Sequence, residues 1–330
     1  MIVPRYWAEA VRRHRARGRQ FTIRRFGWSD TDQADAQAHA ESRAQEALAR
    51  IQAGEALPRR ERRVGYGGAD GVPIREEIVE RDDEIVITRN GYGALCLNTP
   101  DVLFADLDGP SPSGTPSMVG WWVLWLLLAS VSGGLLWRAH GIRLFPLIGL
   151  GIAVWSLLIL LRQPKKPVQV DAREAWWNDA LGRVRAHVAG HPNWSVRIYR
   201  TPVGMRLLAT HRTFSPLDPE VQECFRALAV DPVFARMCVH QQCFRARISP
   251  KPWRIGMDRL RAPARAAWRP EHAALPKRLA WIAAYDKAAK GFASCHYIET
   301  LGTGVEVEAA ARVRLLHDVF CRADSALPLA

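Results

Sequence analysis

Two carboxylates two residues apart close an apolar run: Val102, Leu103, Phe104 and Ala105 lead to Asp106 and Asp108, followed by Gly109 and Pro110. In an extended chain, residues two apart share a face, so both carboxylates converge at the end of the strand. Such a pair can hold a divalent ion at a phosphate, and Mg or Mn is the ion expected there. The plainer alternative is a polar strand end entering a linker.

A second chemistry-bearing stretch is FRARISPKPWRIGMDRLRAPARAAWRP, residues 244–270. Arg245, Arg247, Lys251 and Arg254 are interleaved there with Trp253, and Trp268 follows. Arginine and lysine neutralise the phosphates of a nucleotide or nucleic acid, and indoles offer stacking surfaces to bases. The same residues suit anionic lipid or a protein partner. Arg245 and Arg247 alternate with Phe244, Ala246 and Ile248, so a strand puts the two arginines on one face and the apolar residues on the other.

The third constellation is CVHQQC, which supplies Cys238, His240 and Cys243, with Cys224 on the preceding helical segment. Thiolates and imidazoles suit tetrahedral zinc, but structural sites use tighter C-x2-C knuckles in pairs. A helix puts Cys238 and Cys243 on different faces. Zinc is therefore disfavoured against buried free thiols. Cys295 and His296, adjacent in a strand, point to opposite faces. No nucleophile elbow, P-loop or dinucleotide-binding glycine pattern occurs.

The chain has 330 residues, 48% hydrophobic and 24% charged, with a formal charge of +13. That composition buries a core and excludes a disordered polymer. Two uncharged apolar runs, residues 118–137 and 144–161, each match the length of a membrane-spanning helix and are joined by the short RAHGIR turn. They predict a transmembrane hairpin that acts as an anchor in the lipid bilayer. Basic residues after the second run favour both termini in the cytoplasm. The amino terminus lacks the apolar core of a secretory signal, and the six cysteines are expected as reduced thiols.

Around the hairpin, residues 1–63 form an N-terminal segment, with a helix predicted at 5–17, a strand at 19–28 and a long Ala-rich helix to about residue 53. Residues 64–117 form an acidic β segment, with a hairpin turning at Asp82 and Asp83. Residues 162–330 form a basic segment of mixed strands and helices, which either completes one domain with 64–117 or stands alone. The expected fold class is thus an α+β cytosolic domain interrupted by an α-helical transmembrane hairpin.

Several families share features with these residues. Asp106 to Gly109 resembles the D-x-D-G-T of HAD-type phosphatases, with Pro110 in place of Thr, and membrane glycosyltransferases also place D-x-D before a hairpin. The chain is similar, too, to the archaeo-eukaryotic primase and primase-polymerase superfamily. There an apolar strand ends in D-x-D, and a later strand resembles YRTPVGMRLLATH at 199–211. Leu207 stands where the phosphate-binding His of that family is expected, which leaves Arg206 or His211 for its role. The third acidic position implied by this resemblance is Asp258 or Glu299.

Overall, the chain also resembles uncharacterised bacterial two-helix transmembrane proteins. Together these readings predict a module anchored in the bacterial inner membrane for phosphate-bearing partners: anionic lipid, nucleotide or nucleic acid. The alternative is a metal-dependent nucleotidyl or phosphoryl transferase using Asp106 and Asp108.

Overall fold

The computed structural model describes residues 1, 3–16, 19–61, 72–110, 168–261 and 268–330. Its first element corrects the sequence reading. Tyr6–Ala16 (β1) is a strand, not a helix, and pairs antiparallel with Arg19–Ser29 (β2) along its whole length. Alanine and arginine favour helix in isolation, but the burial alternates with period two. Ala8 and Ala10 are buried, while Glu9 and Val11 are exposed.

The buried alanines meet Gln33–Gln52 (α1), which starts at Asp32, whose side chain accepts from the Asp35 amide at 2.8 Å. Ala36, Ala40 and Ala44 form one stripe of α1 and cluster with Ala8 and Ala10. Small side chains on both surfaces let helix and ribbon approach closely. Gly27 of β2 marks the tightest point: a Cβ there would stand 2.1 Å from the Ala40 amide nitrogen.

The chain continues through Glu77–Asp82 (β3), Ile85–Arg89 (β4), Leu95–Thr99 (β5) and Phe104–Asp108 (β6). Then come Val168–Ala189 (α2), Ser195–Arg200 (β7), Gly204–Ala209 (β8), Pro219–Ala227 (α3), Pro232–Gln241 (α4) and Phe244–Arg247 (β9). Pro276–Ala289 (α5), His296–Gly302 (β10) and Glu308–Cys321 (α6) complete the series. The β3–β4 hairpin turns at Asp83, which adopts a φ of 55°.

Two four-stranded antiparallel sheets result, in the orders β3-β4-β5-β9 and β10-β7-β8-β6. Each joins strands from before residue 110 to strands from after residue 177: β5 pairs with β9, and β6 with β8. All of this belongs to one compact unit, residues 1–109 with 177–330; residues 110–176 form another. Of the latter, only residue 110 and the beginning of α2 are described.

In the second sheet, one face carries Asp106, Arg206 and Tyr199 in a row of directly opposed residues. Helix α6 covers that face, with the His317 ring 4.7 Å from Tyr199 and 5.3 Å from Phe104. The other face meets α2, where Arg200 lies over the Trp177 ring at 4.3 Å.

The membrane expectation finds no support. Among the described residues, no helix is long and apolar enough to cross a membrane. Even the longest, α1 and α2, carry charges such as Glu41, Arg43, Asp179 and Arg183. The runs 118–137 and 144–161 that prompted the expected hairpin lie outside the described residues. The fold class is corrected accordingly to an α+β fold with antiparallel sheets and, among the described residues, six α-helices. An inner-membrane placement and a bilayer partner lose their basis with the hairpin.

Candidate metal centre

The register of β6 against β8 sets Asp106 directly opposite Arg206, and their side chains form a two-pronged ion pair. Arg206 Nε donates to Asp106 Oδ1 at 2.7 Å and Nη2 to Oδ2 at 2.9 Å. Arg206 is fully buried, whereas Asp106 keeps 32% of its side-chain surface. Burial alone would push the guanidinium toward its neutral form, but the charge and hydrogen bonds of Asp106 outweigh that and raise its pKa.

Arg206 Nη1 also donates to the Arg247 carbonyl at 2.8 Å and lies 3.2 Å from His317 Nε2. Thus four of the five guanidinium N–H groups have partners. Arginine has no acceptor, so His317 Nε2 is the accepting nitrogen and Nδ1 carries the proton. Nδ1 donates to Asp318 Oδ1 at 2.9 Å. Asp318 in turn pairs with Arg197 Nη2 at 3.1 Å, and Arg197 Nε donates to the Tyr199 hydroxyl at 2.9 Å. The network threads from the exposed end of β6 into the layer between the second sheet and α6.

Two thiols join this network. Cys295, His317 and Cys321 are all buried, and their ligand atoms lie within 4.8 Å of one another. Two of the three come from one helix face, because His317 and Cys321 are four residues apart on α6. The third comes from the entry to β10, which is tied to the end of α6 by hydrogen bonds from Ser294 N to Cys321 O (2.9 Å) and Tyr297 N to Ala323 O (3.0 Å). Burial first, then Cys321, push the Cys295 thiol far above its ordinary pKa. The Cys295 sulfur therefore stays protonated unless a cation takes the proton's place.

The donor set fits a thiophilic ion. Zinc binds sulfur at about 2.3 Å and imidazole nitrogen at about 2.0–2.1 Å, so tetrahedral ligand atoms stand roughly 3.4–3.8 Å apart. Cys295 Sγ and His317 Nε2 are already 3.8 Å apart. The Asp318 contact on the far nitrogen is the carboxylate partner that metal-bound histidines ordinarily have. No other group of three or more such ligands is found among the described residues. This centre escaped the sequence reading, although H-x3-C at 317–321 is a ligand spacing on a helix.

The expected sites fare differently. Asp106 spends both oxygens on Arg206, which removes it as a ready ligand for Mg or Mn. Asp108 is exposed, yet desolvation of its carboxyl, followed by Asp106 and Asp231, raises its pKa. Asp258 projects into solvent beside Arg261 at 3.8 Å. Glu299 belongs to β10, with β7 and β8 between it and β6, and it bonds Arg185 of α2 at 3.1 Å. These four carboxylates do not converge, and the transferase alternative loses its geometry.

The basic residues expected to hold phosphate are also divided. Arg206 is buried on Asp106, and Arg245, largely covered, pairs with Glu76 at 2.7 Å, with Asn98 at 3.3 Å. His211 packs on Trp194 and Phe214, with ring centroids at 5.0 and 5.4 Å. Arg247, Lys251 and Arg254 are half-buried beside the end of β6. A broad surface for anionic lipid or nucleic acid is not formed by these residues. In the other cysteine constellation, Cys224, Cys238 and Cys243 are buried while His240 is exposed, and the four do not gather. Burial first raises the thiols of Cys224 and Cys243 to about 12 and about 11.

Compared with known proteins, the chain matches no family model, no curated protein and no solved structure. The resemblances to primases, to phosphatases of the HAD type, to glycosyltransferases and to two-helix membrane proteins are therefore unsupported. The D-x-D that carried three of them is a strand end engaged with Arg206.

Proposed function

We propose that this chain is a metal-binding protein whose Cys295, His317 and Cys321 hold one zinc-class ion in a structural centre. The observation that carries the reading is the convergence of three buried ligands, one of them already bonded to a carboxylate through its other nitrogen. Charge balance supports it. Two thiolates neutralise a divalent ion, and Asp106 neutralises Arg206, so the buried assembly ends without net charge. To hold the ion, His317 Nε2 would have to give up its 3.2 Å contact with Arg206 Nη1. The ion would clamp the entry of β10 to the end of α6.

A second reading keeps the same residues free of metal. It rests on the 3.2 Å contact of Arg206 with His317 Nε2, which satisfies the nitrogen a metal would need. Elemental analysis of the purified full chain separates the two. The metal reading expects near one equivalent of zinc, its loss in Cys295→Ser and Cys321→Ser, and a lowered Tm on chelation. Folded protein that contains no zinc and gains no thermal stability when zinc is added supports the metal-free network.

A further inference from the structure

The two edges of the β1–β2 ribbon are unequal. Successive residues of an antiparallel pair turn their N–H and C=O groups alternately toward the partner strand and away from it. Arg24, Phe26 and Trp28 of β2 turn theirs away, because these groups are bonded outside the ribbon. Arg24 N donates to Arg59 O at 2.8 Å, and Glu61 N to Arg24 O at 3.4 Å. Phe26 N donates to Glu61 Oε2 at 2.8 Å, and the Phe26 carbonyl accepts from Arg43 Nη1 at 2.5 Å. The Trp28 carbonyl lies 3.0 Å from His39 Nδ1. The β2 edge is thus closed.

Register gives the opposed residues of β1 the same orientation. Trp7, Glu9 and Val11 stand opposite Trp28, Phe26 and Arg24, so their main-chain groups turn away from β2, and alternation extends this to Arg13 and Arg15. The Trp7 carbonyl accepts from Gln33 Nε2 at 2.9 Å. From Glu9 to Arg15 the outward groups make no hydrogen bond among the described residues. No proline, lysine or bulge interrupts this edge. The side chains of Glu9, Val11, Arg13 and Arg15 are exposed, with Val11 at 47% a large apolar one. A long, regular and uncovered strand edge is a template for another strand.

We propose that β1 pairs with β1 of a second copy of this chain, antiparallel about a two-fold axis at Val11, which joins the two ribbons into one continuous sheet. Charge selects both the occupant and the register. Arg12, Arg13 and Arg15 crowd the second half of β1 while Glu9, its one acid, lies in the first, so the edge complements itself when reversed. With the two Val11 residues opposed, Glu9 of each copy faces the partner's Arg13, and Trp7 faces the partner's Arg15, a cation beside an indole. Within its own chain Glu9 meets Arg24 Nε at 3.9 Å, beyond hydrogen-bond distance. Moving the axis one residue toward either end sets Arg12 against the partner's Arg12, or Arg5 against the partner's Arg15, and like charges directly opposed are unfavourable. Both α1 helices then lie on one face of the joined sheet, and the two Val11 side chains meet on the other.

The test is sedimentation velocity of the full chain over a range of concentrations, joined to cysteine cross-linking. The expected particle is a dimer. Glu9→Arg should raise its dissociation constant about tenfold, because two symmetric attractive pairs become repulsive, and Glu9→Arg combined with Arg13→Glu should restore it. Val11→Cys should give a covalent dimer under mild oxidation, since bonded opposite residues stand about 5.5 Å apart between Cα atoms, within reach of a disulfide. The native cysteines are all buried. Thr22→Cys, on the same face but on β2, should not link. If Glu9→Arg fails to fold, the Val11→Cys cross-link decides alone. A monomer at every concentration, or a dimer that ignores the charge reversal and leaves Val11→Cys unlinked, would overturn the proposal.

Discussion

Asp106 and Arg206 face each other across β6 and β8 and are joined by two parallel hydrogen bonds of 2.7 and 2.9 Å. One partner reaches solvent and the other does not, so the two halves of the pair are unequal. Removing the acid strands a guanidinium inside the protein; removing the base leaves a carboxylate that water can still reach.

Asp106→Ala should therefore destabilise the fold by about 3 kcal/mol, the lower end for breaking a buried pair because Asp106 is partly exposed. Arg206→Met should cost less than this. Urea unfolding of both variants gives the comparison, and a smaller loss for Asp106→Ala would contradict the inequality.

Stability should fall as the pH drops below neutrality, through His187 and His211. Their rings flank Trp194, with centroids at 4.8 and 5.0 Å, and the His191 ring lies against His187 at 4.2 Å. Burial first lowers the pKa of both; His191 adds to the effect at His187 and Arg212 at His211, with Glu220 opposing at each. A histidine whose folded pKa is depressed binds its proton more readily in the unfolded chain. Its contribution is full above the ordinary value of about 6.5 and is lost as the pH falls through that value toward the folded one. Urea midpoints at a series of pH values should show that slope, and His187→Gln should flatten it.

Gly27→Ala should weaken the contact between α1 and the β1–β2 ribbon by about 1–3 kcal/mol, the usual range for overpacking. The added Cβ meets backbone atoms of Ala36 and Ala40, which cannot rotate away as a side chain can. Hydrogen exchange should report faster opening of α1 amides, whereas unchanged protection would show that the ribbon shifts without cost.

Tyr285→Phe removes one hydroxyl that serves Ser249 and Pro250 together. A buried acceptor left without its donor costs about 1–3 kcal/mol. The expected sign is a loss of stability in that range, read by urea unfolding. Wild-type stability in Tyr285→Phe would show that the Pro250 carbonyl finds another donor.

Much of the element order could be read from residues 77 onward. The turn at Asp82 and Asp83, the strand ending at Asp108, the β7–β8 pair, and the α3 and α4 helices with proline in their first turns all follow from local period and punctuation. β1 was misread because its composition favours helix while its burial depends on α1, a partner that local pattern does not reveal. Arg245 and Arg247 do alternate on β9 as expected, but the face they occupy is buried or half-buried against Glu76, Asn98 and Ser249. Exposure depends on what is packed against a face, and strand periodicity is silent about that.

From residue 77 onward the sequence by itself determined most of the short strands and helices, and that Asp106 and Asp108 would end one of the strands. Only the tertiary structure decided that Asp106 meets Arg206, a hundred residues away, and that His317 and Cys321 meet Cys295 on another element. The physical reason is range. Side-chain direction along a helix or strand follows from backbone geometry over a few residues, whereas the partner of a buried charge or thiol is set by sheet register and helix docking, which join distant parts of the chain.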